Sequence, residues 1–360
     1  MIKKTPLYDK HIQLGGKIVE FAGWYLPVQY EKGIIFEHNT VREKVGLFDV
    51  SHMGELYIYG EKATENLQEL VTNRVETMAI GQCRYTLMLY PNGGIVDDLL
   101  IYRLEENKYL LIVNASNTDK DYEWIKSNLK AGAVCENLSP DIAQIAMQGP
   151  LSEKVLQKVC DMTEVPVKNY HFVKRIQVAG IDCLVSTTGY TGERGYEIYT
   201  DANSAVKLYE ALMQAGEEFG IQPVGLGARD TLRFESSMPL YGHELSDKTL
   251  ANEVGLDFAI KHTLNYIGEE NILGAPQYAR IGLKLISKGI AREHSEVYDG
   301  EGNLVGETTS GGFCPTKNGA YAMARVKIES LNQKTLFIEV RGRKLEAEIV
   351  EMPFYKRVDK

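Results

Sequence analysis

Two adjacent acids stand at the head of an apolar run, in the segment GGIVDDLLIY at residues 93–102. The residues that follow them favour a β-strand, and a strand places alternate side chains on opposite faces. Asp97 and Asp98 are therefore predicted to point in opposite directions. We expect one acid to meet solvent. The other should share a face with Leu100 and Tyr102, which places a carboxylate beside an aliphatic and an aromatic side chain.

A second stretch that could bind a ligand is the glycine-rich segment TTGYTGERGYEIY at residues 187–199. Glycine lets the backbone approach a ligand closely, and tyrosine offers a flat face with a polar tip. The segment also carries two acids, Glu193 and Glu197. Two interpretations are open: a ligand-binding loop that leads into a strand, or a glycine-rich hairpin with solvated acids. Composition alone favours the hairpin.

Arginine and histidine side chains supply the remaining candidates. Arg229 and Arg233 stand four residues apart in GLGARDTLRFESSMPLYGHEL, on a predicted short helix. An arginine fork suits a ligand carboxylate, but a buried partner such as Asp230 or Glu235 is the favoured interpretation. His52, in FDVSHMG, has the chemistry of a catalytic base. For His52 we favour a role in structural hydrogen bonds over a catalytic one.

The common signatures of catalysis and metal binding are largely missing from the sequence. It contains no GxSxG, HExxH or P-loop sequence, and no GxGxxG between a predicted strand and helix. The seven histidines lack metal-ligand spacing, and the five cysteines include no CxxC pair. These features argue against a zinc site or a disulfide framework and favour a reducing compartment.

Composition and charge indicate a soluble globular protein. The 360 residues are 44% hydrophobic and 25% charged, with a formal net charge of −9. This acidic balance argues against a general nucleic-acid binder. No apolar run approaches the ~18 residues of a membrane helix, and the N-terminus MIKKTPLYDKHIQLGG lacks the apolar segment of a signal peptide. We therefore expect a cytoplasmic protein with neither a nucleic-acid nor a membrane partner.

Helices and strands in mixed order must position the candidate residues. A helix is predicted at GIIFEHNTVREKVG, ending at Gly46, and three antiparallel strands are predicted at residues 83–116. In residues 142–220, a helix, a hairpin and a second helix indicate a ferredoxin-like α+β unit. From about residue 279, short alternating strands with glycine and asparagine turns are typical of a small all-β barrel.

Motifs spread along the whole chain resemble those of the aminomethyltransferases of the glycine cleavage system, the T-protein family. They are TPLYDKH, FAGWYLPVQY, GLFDVSHMGEL, NGGIVDDLLIYRL, NASNTDKD, TTGYTGERGYEIY, GLGARDTLRFES, MPLYGHEL and GGFCPT. The resemblance implies an α+β fold of three domains arranged like a cloverleaf around a central opening. Residues 1–278 would form a folate-binding region of two intertwined α+β domains, one ferredoxin-like and discontinuous. Residues 279–360 would form the C-terminal β-barrel.

The resemblance also implies a reaction and its partners. A lipoylated H-protein would present an aminomethyl group, and the one-carbon unit would pass to tetrahydrofolate. The products would be methylenetetrahydrofolate, ammonia and dihydrolipoyl H-protein. Tetrahydrofolate would then be a co-substrate, and the chemistry would need no metal.

Residue by residue, the motifs imply a folate site. Asp98 would be the catalytic carboxylate, chosen over Asp97 because of the strand face that it shares with Leu100 and Tyr102. The residues implied to bind folate are Tyr85, Leu100, Tyr102, Asn114, Tyr190, Glu197 and Arg229. Glu197 is expected to hydrogen-bond the amino edge of the pterin.

Other functions remain open at this point. A related folate-dependent enzyme, of a demethylating or an RNA-modification type, would use the same scaffold. The RNA-modification proteins carry a KGCYTGQE-like motif, however, and the corresponding TTGYTGERGYE has no cysteine. A non-catalytic folate-binding regulator and a generic α+β protein without a folate site are two further hypotheses. Whether Tyr355 or Lys356 of the C-terminal tail reaches the site also stays open, as do the oligomeric state and the H-protein docking surface.

Overall fold

The computed structural model describes residues 2–358 and shows a mixed α+β fold. The α-helices are α1 (Tyr8–Gln13), α2 (Ile34–Glu43), α3 (Ala63–Leu70), α4 (Thr118–Asn128), α5 (Ser152–Leu156), α6 (Ala205–Gly216) and α7 (Leu226–Glu235). The strands are β1 (Lys3–Lys4), β2 (Lys17–Phe21), β3 (Trp24–Gln29), β4 (Gly46–Asp49), β5 (Gly54–Tyr59), β6 (Cys83–Leu89), β7 (Ile95–Glu105), β8 (Lys108–Val113), β9 (Val134–Asn137), β10 (Ile142–Gln148), β11 (Phe172–Val178), β12 (Ile181–Ser186), β13 (Gly195–Asp201), β14 (Gln222–Pro223), β15 (Tyr278–Leu285), β16 (Glu296–Tyr298), β17 (Leu304–Cys314), β18 (Gly319–Lys327), β19 (Thr335–Val340) and β20 (Arg343–Val350). Within the described residues, no helix has the length and apolar character needed to cross a membrane.

Contacts between residues divide the chain into two compact units. The first consists of Met1–Thr86 and Leu99–Asp230, and the second of Leu87–Asp98 and Thr231–Lys360. The chain passes from one unit to the other inside β6, β7 and α7. The division of the sequence at residue 278 into a folate-binding region and a barrel domain stays a prediction.

The first unit is built on a six-stranded sheet and most of a five-stranded sheet. The six-stranded sheet has the order β11-β12-β13-β10-β4-β14, and the five-stranded sheet has the order β6-β7-β8-β5-β9. Helix α6 buries Leu208, Tyr209 and Leu212 in the core of the six-stranded sheet, as the spacing of its apolar residues requires. The strands predicted at residues 83–116 are present as β6, β7 and β8, with β7 antiparallel to β8.

The predicted end of the second helix is wrong by a few residues. Helix α2 ends at Glu43, and Gly46 is the first residue of β4. A Cβ at Gly46 would lie only 2.5 Å from the Val41 side chain and 2.6 Å from the Val224 side chain. Gly46 is therefore required by close packing around the start of β4, not by a helix terminus.

The second unit contains a closed six-stranded barrel with the order β15-β18-β17-β16-β19-β20. Its interior is filled by fully buried aliphatic and small side chains, including Leu283, Ala324, Leu336 and Ala347. Alternation along each strand directs these residues inward and polar residues outward. The predicted α+β class with a C-terminal small β-barrel is confirmed.

The C-terminal tail is fixed within the second unit. The Phe354 ring lies 5.4 Å from that of Phe234 and 4.9 Å from that of Tyr321, measured between centroids. The Tyr355 backbone N–H donates a hydrogen bond to the carbonyl oxygen of Glu235 at 2.7 Å. The tail is thereby held to the last residues of α7.

Strand β5 carries an unexpected buried acid. Glu55 is 0% exposed, and neither of its carboxyl oxygens has a hydrogen-bond partner among residues 2–358. The register places Glu55 opposite Ile112, which lies opposite Leu100 on the other side, so the three share a sheet face. Burial raises the pKa of Glu55 well above its usual range, and the neighbouring Ser139 opposes this shift only in part. Glu55 therefore keeps its proton at pH values where a solvated glutamate has lost it.

We predict that Glu55→Gln stabilises the protein at alkaline pH and has little effect at acidic pH. Because the folded-state pKa of Glu55 is raised above 4.5, its stabilising contribution is complete below that value and is lost as the pH rises through the raised pKa. The amide cannot ionise, so the variant should be more stable than wild type at pH 8, by about 1.4 kcal/mol for each unit by which burial raises the pKa of Glu55. Urea unfolding at pH 5 and pH 8 measures the difference.

The exposed Glu65 of α3 supplies the matched control. Glu65→Gln should show the same stability difference from wild type at both pH values. If Glu55→Gln behaves in the same way, the carboxyl of Glu55 is not held protonated by burial.

Candidate active site

Asp97 and Asp98 lie on opposite faces of β7, as predicted. Asp97 is 0% exposed and shares its face with the buried Leu99 and Ile101, whereas Asp98 and Leu100 are half-buried. The expectation that one acid meets solvent is wrong, because the face that carries Asp97 is itself buried. Asp98 is the acid that keeps accessible surface, and a ligand contact requires such surface.

A buried group of hydrogen-bonded side chains surrounds one of the predicted folate-binding acids. We call it the Glu197 cluster, and its members are Gln144, Tyr102, Ser186, Thr188, Glu197 and Tyr199. Oε1 of Glu197 accepts a hydrogen bond from Gln144 Nε2 at 3.0 Å, and Oε2 accepts one from Thr188 Oγ1. The Tyr102 hydroxyl lies 3.1 Å from both Ser186 Oγ and Thr188 Oγ1, and 2.9 Å from the Tyr199 hydroxyl. Donors thus hold the Glu197 carboxylate at both of its oxygens.

The register of the six-stranded sheet explains why these residues meet. Strand β13 lies between β10 and β12, with Tyr199 opposite Gln144 and Glu197 opposite Ser186. Directly opposed residues of antiparallel strands share a face, and so do residues two apart on one strand. The four side chains therefore project from the same face of the sheet.

The charge state of Glu197 depends on a balance between burial and its polar neighbours. Glu197 is 7% exposed. Burial raises the pKa of its carboxyl, while the Thr188 hydrogen bond, the Arg229 charge and the Gln144 hydrogen bond lower it, and the net shift is upward. All three neighbours favour the ionised form, so each of them helps to keep a carboxylate in a buried place.

Arg229 and Tyr190, both predicted to bind folate, are in contact. The guanidinium carbon of Arg229 lies 4.8 Å from the centroid of the Tyr190 ring, which is a cation–π arrangement. Both side chains are half-buried. The Arg229 charge also lowers the pKa of Glu197. Arg229 therefore interacts with both Tyr190 and Glu197, two other residues predicted to bind folate.

Two glycines determine where α7 begins, and thereby where Arg229 lies. A Cβ at Gly225 would lie 2.6 Å from the carbonyl oxygen of Val28, and a Cβ at Gly227 would lie 2.5 Å from the Ile34 side chain. Any larger residue would therefore displace the helix from β3 and α2. In the sequence GLGARD, the two glycines thus allow the start of α7 to pack closely against β3 and α2, and Arg229 follows one turn into the helix.

The loop that carries Tyr190 is anchored by a buried ion pair. Nη1 of Arg42 lies 3.0 Å from Glu193 Oε1 and donates to the Thr191 carbonyl oxygen at 2.6 Å. The two charged side chains are only 5% and 2% exposed. Thr191 Oγ1 also donates to Gln148 Oε1 at 2.9 Å. The favoured interpretation of this segment as a hairpin with solvated acids is wrong, because Glu193 and Glu197 are both buried.

His52 is buried and neutral. Burial, together with the nearby Arg229 charge, lowers its pKa to about 3, so the ring carries no proton to donate as a cation near neutral pH. Its ring packs edge-on against Phe21 with centroids 6.1 Å apart. Nδ1 is buried and has no hydrogen-bond partner among residues 2–358. The structural hydrogen bonds expected of His52 are therefore not made at this nitrogen.

Arg233 takes part in a structural ion pair within the second unit. Its Nη1 lies 2.9 Å from Glu244 Oε2, and its Nη2 donates to Ser310 Oγ at 3.0 Å. The side chains of Arg233 and Glu244 are 2% and 0% exposed. A structural role was the favoured interpretation for this arginine, but the Glu244 partner was not among the acids named from the sequence.

Of the remaining residues predicted to bind folate, one is fully buried and three are half-buried. Tyr102 is 0% exposed and its hydroxyl contacts Ser186, Thr188 and Tyr199 of the Glu197 cluster, so it supports the cluster and has no accessible surface for the predicted folate contact. Leu100 packs against the same apolar group as Tyr102 and is half-buried. Tyr85 on β6 and Asn114 directly after β8 are also half-buried.

The residues that hold Glu197 were not predicted from the sequence. Gln144, Ser186 and Thr188 were not named, although Gln144 and Gln148 interrupt the apolar strand IAQIAMQG at positions that share a face. A buried polar residue that recurs on one face of an apolar strand is a signal of an internal hydrogen-bonded site. Among the described residues, no group of three or more His, Cys, Asp or Glu side chains is arranged to hold a metal ion.

Known proteins match this chain along its whole length. The GCVT N-terminal domain model matches residues 7–263, and the glycine cleavage T-protein C-terminal barrel domain model matches residues 279–356. An aminomethyltransferase from Desulforamulus reducens is 46% identical over 99% of both chains, and one from Bacillus cereus strain AH187 is 45% identical over 99% of both. The crystal structure of glycine cleavage system aminomethyltransferase T from Bartonella henselae superposes with a TM-score of 0.91 at 31% identity, over 99% of both chains.

We predict that Arg42→Met destabilises the protein by about 3–5 kcal/mol, because it leaves the Glu193 carboxylate buried without its partner. The double variant Arg42→Met/Glu193→Gln should recover most of this loss. Chemical unfolding measures both effects. Trypsin should also cleave after the exposed Arg194 faster in the single variant than in the double variant.

Lys158→Met is the control, because its ion pair with Glu218 is exposed, at 40% and 60%. An exposed pair contributes about 0–1 kcal/mol, so this variant should unfold almost like wild type. Equal losses in the two single variants would mean that the Arg42 pair does not anchor the loop.

Proposed function

The chain belongs to the glycine cleavage T-protein family and is an aminomethyltransferase, and we propose that it uses a lipoylated H-protein as donor and tetrahydrofolate as acceptor. The one-carbon unit passes from the aminomethyl-lipoyl arm to tetrahydrofolate. Methylenetetrahydrofolate, ammonia and dihydrolipoyl H-protein are released. Glycine catabolism in the cytoplasm is the corresponding cellular role.

The observation that carries the folate proposal is the Glu197 cluster. A pterin is a flat ring whose edge presents an amino group and ring N–H groups, and a buried carboxylate accepts hydrogen bonds from such donors strongly. Glu197 supplies this carboxylate with both oxygens oriented by donors. Tyr190 and Arg229, stacked on each other, supply an aromatic face and a positive charge that suit the aromatic and anionic parts of a folate.

We assign the site residues as follows. Asp98 is the catalytic carboxylate because, of the adjacent acids Asp97 and Asp98, it is the one that keeps accessible surface. The residues that contact folate are Tyr85, Leu100, Asn114, Tyr190, Glu197 and Arg229. Tyr102, fully buried, supports Glu197 through its hydroxyl contacts with Ser186, Thr188 and Tyr199.

Asp98 has a defined task in the reaction proposed here. Nitrogen 5 of the pterin bonds to the aminomethyl carbon as the bond to ammonia breaks, and nitrogen 10 then bonds to the same carbon as the bond to the lipoyl sulfur breaks. Each nitrogen loses a proton as it bonds to carbon. A carboxylate beside these nitrogens orients the folate and accepts a proton, which typically accelerates a reaction by about 10²–10⁴-fold.

A demethylating enzyme, an RNA-modification enzyme and a non-catalytic regulator have no comparable support. The curated relatives that match 99% of the chain are aminomethyltransferases, whereas each of these three functions would require relatives of another kind. The decisive assay measures ammonia and methylenetetrahydrofolate formed from aminomethylated H-protein, with and without tetrahydrofolate. Product formation that depends on both substrates is expected. Binding of tetrahydrofolate without turnover would instead support the regulator.

We predict that Asp98→Asn lowers kcat by about 10²–10⁴-fold and leaves most of the affinity for tetrahydrofolate. The amide keeps the shape of the side chain but cannot accept a proton. Asp97→Asn is the matched comparison on the opposite face of β7, and its activity per folded molecule should stay near wild type. Single-turnover rates with aminomethylated H-protein measure both variants. A dead Asp97→Asn beside an active Asp98→Asn would reverse the assignment, and two active variants would remove both acids from the chemistry.

Glu197→Gln is expected to weaken tetrahydrofolate binding by about 10- to 100-fold. The amide replaces one acceptor oxygen with a donor, which then faces either Gln144 Nε2 or Thr188 Oγ1, both of them donors. Isothermal titration calorimetry with tetrahydrofolate under anaerobic conditions measures the loss. Glu153→Gln, at an exposed position of α5, is the control and should bind like wild type. Unchanged affinity in Glu197→Gln would remove Glu197 from the folate site.

A further inference from the structure

The side-chain amide of Gln144 makes hydrogen bonds through its nitrogen but not through its oxygen. The residue is 2% exposed, and its Nε2 donates to Glu197 Oε1 at 3.0 Å and to the Tyr199 hydroxyl at 3.1 Å. Its Oε1 is buried and has no hydrogen-bond partner among residues 2–358. The amide turns its donor end toward Glu197, which suits the ionised form of that carboxylate, because an ionised carboxylate accepts hydrogen bonds and cannot donate them.

Gln148, four residues further along the same strand, shows how a structural glutamine is accommodated in this sheet. It is 1% exposed. Its Nε2 donates to the Thr188 carbonyl oxygen at 3.2 Å, and its Oε1 accepts from Thr191 Oγ1 at 2.9 Å. Both ends of this amide are satisfied. Gln144 differs because it leaves a buried acceptor unpaired, which destabilises a fold relative to an apolar side chain of similar length.

The donor that Gln144 supplies acts on a carboxylate with few other sources of support. The titratable groups that interact with Glu197 are Cys83 on β6, Tyr102 on β7, Tyr170 before β11, Tyr199 on β13 and Arg229 on α7. Burial raises the pKa of the cysteine and of the three tyrosines, so these groups are neutral near pH 7. Arg229 is the member of the set that carries charge. Together with Arg229, the hydrogen bonds from Thr188 and Gln144 oppose the effect of burial on Glu197.

We propose that Gln144 is a positioning residue, which orients the Glu197 carboxylate through Nε2 and is kept at this place although its Oε1 stays unpaired. This inference rests on the proposed folate function, in which Glu197 receives the N–H donors of the pterin. Gln144 acts through Glu197 and does not itself touch the ligand, because its surface is almost entirely enclosed.

The test compares Gln144→Met with Gln148→Met. Methionine has a similar length and no polar end, so Gln144→Met removes the unpaired oxygen together with the donor. We expect Gln144→Met to lower the melting temperature less than Gln148→Met does. Loss of the unpaired Oε1 offsets part of the cost of removing the donor to Glu197 and Tyr199, whereas Gln148→Met leaves partners unpaired at both ends of a satisfied amide. Gln144→Met should bind tetrahydrofolate about tenfold more weakly and raise its KM with little change in kcat.

The pH dependence gives a readout that a purely structural residue would not move. Loss of the Gln144 donor raises the pKa of Glu197, so the pH at which binding is half-maximal should rise by about one unit in Gln144→Met. The same shift is measurable without ligand, by following the Glu197 carboxyl carbon with ¹³C NMR and assigning it from its absence in Glu197→Gln. Gln148→Met should leave this titration unchanged.

These outcomes separate the inference from the function on which it rests. A Gln144→Met protein with wild-type affinity and an unshifted Glu197 titration would overturn the positioning role. A loss of stability equal to that of Gln148→Met would also overturn it, in favour of a structural role. If wild type does not bind tetrahydrofolate but the Glu197 pKa still rises in Gln144→Met, the positioning role stands and the folate proposal fails.

Discussion

The proposed folate site depends on how one buried carboxylate, that of Glu197, is oriented and stabilised. Burial disfavours the charge, and the fold opposes this with hydrogen bonds from Thr188 and Gln144 and with the charge of Arg229. The hydrogen-bonded cluster around Glu197 also depends on how the five-stranded and six-stranded sheets pack together. Tyr102 of the five-stranded sheet and Tyr199 of the six-stranded sheet join hydroxyl groups at 2.9 Å, with their rings 5.7 Å apart and edge to face. A shift of one sheet against the other would therefore disturb the carboxylate as well as the apolar core.

The loop and the helix beside this carboxylate are held by interactions that leave little freedom. Arg42 pairs with Glu193 and the neighbouring backbone of the Tyr190 loop. Gly225 and Gly227 let α7 begin against β3 and α2 at distances that no other residue allows. Loops need such anchoring, because they otherwise carry the mobility of a protein surface. Preorganised groups at a binding site lose less conformational entropy when a ligand arrives, so in the proposed folate site these anchors serve binding as well as folding.

Sequence reasoning recovered the features that follow from local patterns. Strand alternation placed Asp97 and Asp98 on opposite faces, and the short strands after residue 279 correctly indicated the barrel. It failed where a partner lies far away in the chain. The buried pair of Arg42 and Glu193 joins residues 151 positions apart, so the acid of a glycine-rich loop was taken to be solvated. The supports of Glu197 depend on the register of β10, β12 and β13, which no local pattern determines. Gly46 was misplaced for a related reason, since its constraint is close packing against the side chains of Val41 and the distant Val224 and not the termination of a helix.

Some buried polar side-chain atoms have no hydrogen-bond partner among residues 2–358. Their positions show where the chain retains a polar side chain at a cost in stability. In the first unit these atoms include His52 Nδ1, both carboxyl oxygens of Glu55, and Gln144 Oε1. These three residues lie on two adjoining segments, since the Gln144 backbone N–H donates to Ser51 Oγ at 3.1 Å, one residue before His52. Each would be cheaper for the fold as an apolar side chain. A chain selected for stability alone would fill such positions with aliphatic residues, and natural proteins depart from that rule mainly at functional sites. For Gln144 the proposed reason is that its other end donates to Glu197, the carboxylate on which the proposed folate site depends.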